Sequence, residues 1–107
     1  MVTLDQFKEI QLRVARILEA TEHPSADRLF ILSIDLGEEK PRQIVAGIRG
    51  RYTAAELIGK SIIVVANLQP AVIRGVESNG MLLAAKDADG LTLLMPERAA
   101  APGSTVG

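Results

Sequence analysis

Ile10-Gln11-Leu12-Arg13-Val14-Ala15-Arg16-Ile17 (IQLRVARI) sets Ile10, Leu12 and Val14 against Gln11, Arg13 and Ala15, and the phase then slips at Arg16-Ile17. Period two marks a strand, because successive side chains leave the pleat on opposite faces. A phase slip with no turn residue is what a β-bulge produces, since one extra residue bends the strand and exchanges its faces. The stretch reads as one long strand with a bend in its middle.

Upstream, Thr3 has Gln6 three residues on, the spacing of a capping box, which predicts a short helix carrying Leu4 and Phe7. Downstream, Pro24, Ser25 and Asp27 in EHPSADR end the strand in a turn. Leu29 to Asp35 and Arg42 to Ile48 read as the next two strands, joined by a charged turn from Gly37 to Pro41. In TAAELIG, Thr53 and Glu56 repeat the capping-box spacing and Gly59 suits a left-handed C-terminal position, so a small helix follows. Ser61 to Leu68 is a β-branched, buried strand. A loop from Asn67 to Met81 follows, then a hairpin of Met81 to Ala85 with Leu91 to Met95 across Asp87 to Gly90. APGSTV supplies a turn and one last pairing. The expected class is all-β: a five-stranded Greek-key barrel of the OB type, with a short N-terminal helix and a small helix between strands 3 and 4. Other small barrels share this periodicity.

Composition narrows the function. The chain has 107 residues, 48% of them hydrophobic, which suits a single domain over residues 1–107. The formal net charge of −1 gives no global attraction for polyanions, so any nucleic-acid contact needs a local patch. No cysteine is present, which removes disulfides, thiolate catalysis and cysteine zinc sites. The N-terminus lacks the pattern of a signal peptide, and the longest apolar runs are too short to span a bilayer. A soluble, cytoplasmic domain without membrane contact is expected.

The chemistry-bearing residues do not assemble into a catalyst. His23 is the one histidine and reads as an ordinary loop residue, with no partner for a metal. Asp87-Ala88-Asp89-Gly90 lacks the acid that closes a calcium loop. Ser78 has no base nearby in sequence, and Gly47, Gly50 and Gly59 are wrongly spaced for a phosphate loop. No catalytic residue, metal or cofactor is called for. The densest basic run is Lys40 to Arg51, with Lys40, Arg42, Arg49 and Arg51, which Arg13, Arg16, Arg28 and Arg74 could join. Only Phe7, Phe30 and Tyr52 are aromatic, so recognition of folded RNA by shape and backbone fits better than base stacking along a single strand.

The motifs HPSAD (23–27) and NLQPAVIRGVESNGM (67–81), with the strands around them, closely resemble the tRNA-binding domain family over about Phe7 to Val106. That domain occurs as a small stand-alone protein and at the C-terminus of bacterial methionyl-tRNA synthetases. The resemblance implies a non-catalytic OB-fold that binds tRNA largely independently of sequence, as a homodimer, alone or beside an aminoacyl-tRNA synthetase. Carried over by position, it nominates Arg28, Arg42, Gln43, Asn67, Arg74, Ser78 and Met81 as RNA-facing. It assigns Val2, Leu4, Phe7, Leu93, Leu94, Met95 and Val106 to the dimer interface, although core packing accounts for them equally well. The family often carries basic residues where this chain has Gln69, Ala71 and Val72, which implies weaker binding or reliance on a dimer's avidity. A homodimeric secretion chaperone is similar over the first strands but lacks the RGV-x-S-x-GM run. A protein-binding, chaperone-like module is therefore the alternative.

Overall fold

The computed structural model describes all of residues 1–107. In chain order the elements are α1 (Leu4–Lys8), β1 (Leu12–Glu22), β2 (Phe30–Asp35), β3 (Arg42–Ala46), α2 (Ala54–Leu57), β4 (Ser61–Val65), β5 (Ala71–Ile73), β6 (Val76–Ser78), β7 (Met81–Leu82), β8 (Ala84–Asp87), β9 (Gly90–Leu93) and β10 (Thr105–Val106). Both helices start at the expected capping boxes, Thr3 with Gln6 and Thr53 with Glu56. The main sheet runs β3-β2-β1-β4-β7, with β10 also on β1, and it curls into a nearly closed five-strand barrel.

The long bent strand is β1. Its first half pairs with β4, Leu12 opposite Val65 through Arg16 opposite Ser61. Its second half pairs with β2, Arg16 opposite Asp35 through Glu22 opposite Phe30. The register shifts between Ile17 and Glu19, so the bulged residue is Leu18, slightly beyond the slip read from the sequence. The earlier slip has a different cause. Ala15 and Ile17 point into the barrel core, whereas Val14 is buried outside it. The C-terminal segment pairs along the edge of β1 at this residue: Val14 N–H donates to the Ser104 carbonyl (2.9 Å), and Gly103 N–H donates to the Val14 carbonyl (2.7 Å). Both faces of the strand are therefore buried at this point, and a two-residue period cannot report both.

Inside the barrel Phe30, Leu32, Ile34, Ile44, Leu57, Ile62 and Val64 are almost wholly removed from water. Each such side chain contributes about 1.5–3 kcal/mol relative to exposure. Alternation along β2 places Phe30, Leu32 and Ile34 inside and leaves Ile31, Ser33 and Asp35 partly exposed. Leu57 of α2 plugs the barrel between β3 and β4.

The seam that closes the barrel lies between β3 and residues 77–80. Asn79 N–H donates to the Gln43 carbonyl (2.8 Å), an ordinary ladder bond. At the next position a side chain replaces the backbone: Val45 N–H donates to Ser78 Oγ (2.9 Å), and Ser78 Oγ donates to the Gly80 carbonyl (3.1 Å). Gly80 then passes between strands with φ +130, where a Cβ would lie 3.2 Å from the Val65 carbonyl oxygen. A side chain there would be strained by the backbone conformation and crowded by its neighbours.

Three expectations are corrected. The segment 67–81 is no open loop, because β5 and β6 pair as a hairpin, Ala71 opposite Ser78 and Ile73 opposite Val76. The run Met81 to Ala85 is not one hairpin arm. Met81 and Leu82 complete the barrel against β4, and β8 starts a separate hairpin with β9. His23 is not an ordinary loop residue but is buried. Its Nδ1 accepts from Ser25 N–H (3.1 Å), which leaves Nε2 protonated to donate to the Ile73 carbonyl (3.2 Å). The histidine thereby pins the β5–β6 hairpin to the β1–β2 turn.

Ser78→Ala is expected to cost about 1–3 kcal/mol in urea unfolding, because it orphans a buried donor and a buried acceptor. Met81→Ala, three residues on and exposed, should change stability by less than about 0.5 kcal/mol.

Candidate nucleic-acid interface

The β5–β6 hairpin turns through Arg74 and Gly75, both with positive φ (+52 and +86). Positive φ at both central residues is the primed turn whose twist matches that of paired strands. Arg74 is the only non-glycine residue in this region of backbone space. A strained position held by an arginine, with its side chain exposed, points to a use for that side chain beyond the turn. Arg74 Nη2 makes a long contact (3.5 Å) with the Ser25 carbonyl. Together with His23 this sets the hairpin tip beside the turn that carries Arg28.

Arg49 comes to the same turn from the other side. It donates to the Ala26 carbonyl (3.3 Å) and pairs with Glu22 (2.8 Å). One end of the barrel thus gathers Arg28, Arg49 and Arg74 around residues 22–28. Arg28 is exposed, and its side chain makes no hydrogen bond within the protein. The basic run from Lys40 to Arg51 is split by the fold, because Arg42 opens β3 and Arg49 lies beyond that strand's end.

The remaining nominated residues hold the structure together. Arg42 donates from Nε and Nη2 to the two carboxylate oxygens of Glu38 (both 2.8 Å) and from Nη1 to the Ala66 carbonyl (2.6 Å) and the Asn79 carbonyl (3.4 Å). Gln43 is exposed, but its amide donates to the Glu77 carbonyl (2.9 Å). Asn67 Oδ1 accepts from Gln11 N–H (2.8 Å) and its Nδ2 donates to the Glu9 carbonyl (2.7 Å), which ties the end of α1 to β4. Ser78 is buried in the barrel seam. Of the seven, Arg28 and Met81 present free side chains to solvent, and Arg74 is exposed with only its long contact to the Ser25 carbonyl.

The aromatic residues are equally committed. Phe30 lies in the core, and Tyr52 packs against it with its hydroxyl accepting from Leu93 N–H (3.0 Å). Hydrogen bonding with Thr92, then with Leu93, lowers the phenol below its ordinary range. Phe7 alone shows its ring, on α1. No aromatic platform faces the basic end, which leaves its exposed groups cationic and polar.

The residues nominated for an interface divide in the same way. Val2, Leu4 and Phe7 are exposed, and α1 buries none of its residues. Leu94 and Met95 are also exposed. Leu93 is instead part of the barrel core, which excludes it from any surface, and Val106 is half-buried where β10 pairs with β1. No helix is long and apolar enough to cross a membrane.

Hydrogen bonding to Arg42 holds the Glu38 carboxyl below its usual range. A depressed folded-state pKa means that the pair's contribution is complete above about 4.5 and is lost as pH falls through the lowered value. Glu38→Gln is expected to remove this acid-side component from thermal stability measured across pH 3–6, about the range that brackets carboxylate titration. Arg42→Lys keeps the charge but loses the two-point pair, and should lower the melting temperature at neutral pH.

The "Putative tRNA binding domain" family model matches residues 12–105. The chain is 52% identical over 105 residues to methionine–tRNA ligase of Thermotoga maritima and 52% identical over 106 residues to that of Methanococcus aeolicus. These matches cover 98% and 99% of the chain but only 16% of each ligase, so the chain spans about one-sixth of those relatives. Among solved structures, a MetRS-related protein from Pyrococcus horikoshii superposes with a TM-score of 0.91 at 33% identity, covering 100% of this chain and 98% of that one. The CsaA chaperone protein of Picrophilus torridus superposes with a TM-score of 0.92 at 32% identity, covering 100% of both. With the match extending from the first barrel strand through the C-terminal one, the chain belongs to the tRNA-binding domain family.

Proposed function

We propose that this domain is a non-catalytic module that binds tRNA through its backbone and shape, as a homodimer, and that it works alone or beside a methionyl-tRNA synthetase in the cytoplasm. The observation that carries the reading is the family match over residues 12–105. Its chemistry is supported by Arg28 and Arg74 standing exposed at one end of the barrel, where they can reach phosphates. Gln69, Ala71 and Val72 leave the outer part of the hairpin without charge, so affinity depends on these few cations and on doubling them in a dimer.

The homodimer is supported by α1. A five-residue helix with every residue exposed has no burial to hold it folded apart from its cap and the Asn67 tether, since short helices owe their stability to packing. Leu4, Phe7, Leu94 and Met95 supply apolar surface for a second copy. A protein-binding role draws support from the likeness to the CsaA chaperones and from Val72, which lies 73% exposed on β5.

Filter binding with bulk tRNA across a salt series is expected to show binding that weakens as salt rises. Absence of binding at low salt would overturn the reading. Arg74→Gly removes the charge at a backbone position that glycine accepts, and should flatten the salt slope by about 0.7–0.9. Sedimentation should give twice the mass of one chain, and Leu4→Asp with Phe7→Asp should give a folded monomer. A wild-type monomer at micromolar concentration would remove the dimer from the proposal.

A further inference from the structure

Three surface clefts differ in charge. The one formed by Glu56, Lys60, Glu97 and Arg98 balances two acids with two bases, and the notch at Arg42 and Gln43 carries Glu77. The third, about 490 Å³, lies between the β1–β2 turn, the segment after β3 and the β8–β9 hairpin. Arg28, Arg49, Arg51 and Lys86 line it against the single carboxylate of Asp27. Glu22 pairs with Arg49, so four cations stand against two carboxylates, which is a local positive excess in a chain of net charge −1.

Its cations are partly organised in advance. Arg51 Nε donates to the Leu91 carbonyl (2.9 Å) and Nη1 reaches the Asp89 carbonyl (3.5 Å), so the guanidinium is fixed along the β8–β9 hairpin with Nη2 uncommitted. Arg49 is held by Glu22 and Ala26. Arg28 and Lys86 are exposed and make no side-chain hydrogen bond. Two fixed guanidiniums and two mobile cations around a groove match a phosphodiester chain, whose charge recurs along its length. No aromatic side chain lines the cleft, so it offers bases nothing to stack on. Gly47 and Gly50 form part of the wall, and an added Cβ at Gly50 would meet nothing within 4 Å.

We propose that this cleft seats the phosphate backbone of a folded RNA, with Arg28 and Lys86 contacting phosphates from opposite walls and Arg51 between them. The inference rests on the tRNA reading, which already uses Arg28, and extends the surface across the cleft to the β8–β9 hairpin. Lys86 and Arg51 become RNA contacts, and the β8–β9 hairpin becomes a wall of the site.

The test is filter binding of bulk tRNA over about 50–200 mM salt by the full chain, by Arg28→Gln/Lys86→Gln, and by a charge-matched control, Lys60→Gln/Arg98→Gln. Circular dichroism checks that each variant remains folded. The cleft variant should lose about 1.4–1.8 from the salt slope, so that its affinity falls about 7- to 12-fold less across that range. The control should keep the wild-type slope. Equal losses in both double variants would mean that bulk charge alone matters and would overturn the cleft. A wild-type slope in the cleft variant would overturn it too, while leaving tRNA binding by the domain intact. A full chain that binds no tRNA would remove both.

Discussion

The double pairing of β1 is the constraint on which the remaining structure depends. One strand serves β4 with its first half and β2 with its second, and Leu18 is the extra residue that lets it change direction between them. Without that bend the sheet would stay open, because β2 and β4 would lie on a common flat surface. The edge of β1 beside its first half is paired with the C-terminal segment through Val14, Gly103 and Ser104 and then through β10. The first barrel strand and the last residues of the chain are thus one structural unit.

The closing seam explains why a motif that looks like a ligand site contains so few free side chains. Ser78 substitutes its hydroxyl for a ladder carbonyl, Gly80 passes where a side chain would be strained and crowded, and Arg42 joins Glu38, Ala66 and Asn79 across three elements. These residues make possible the placement of others. His23 and the Arg74-Gly75 turn hold the hairpin against the β1–β2 turn, so that cations distant in sequence stand at one end of the barrel. Bonded support and exposed side chains fall on neighbouring residues of one signature, so the barrel holds the exposed ones in a fixed register.

Much of this was legible in the chain. Thr3 with Gln6 and Thr53 with Glu56 announce both helices, because a capping box is a local device whose partners lie three residues apart. The alternation in β2 and the family motifs identify the barrel. The site was less legible. Asn67, Ser78 and Arg42 have side chains suited equally to RNA and to backbone groups, and each takes at least one partner far along the chain, Gln11, Val45 and Ala66 respectively. Lys86 carried no motif at all. It gains meaning because β8 folds back beside Arg28 and Arg51. Leu93 and Leu94 are adjacent and chemically identical, yet one is core and the other surface.

The sequence by itself determined both helices, the first four strands and their order, the family and the scarcity of aromatic and basic residues, since each depends on residue type and short-range spacing. Only the tertiary structure decided which nominated residues are free to touch a ligand. That choice depends on the direction in which each side chain leaves the barrel and on the backbone groups that reach it first. Buried carbonyls and amides must find partners, and in this fold Ser78 and Arg42 supply them at the barrel seam, while Asn67 ties down the end of α1.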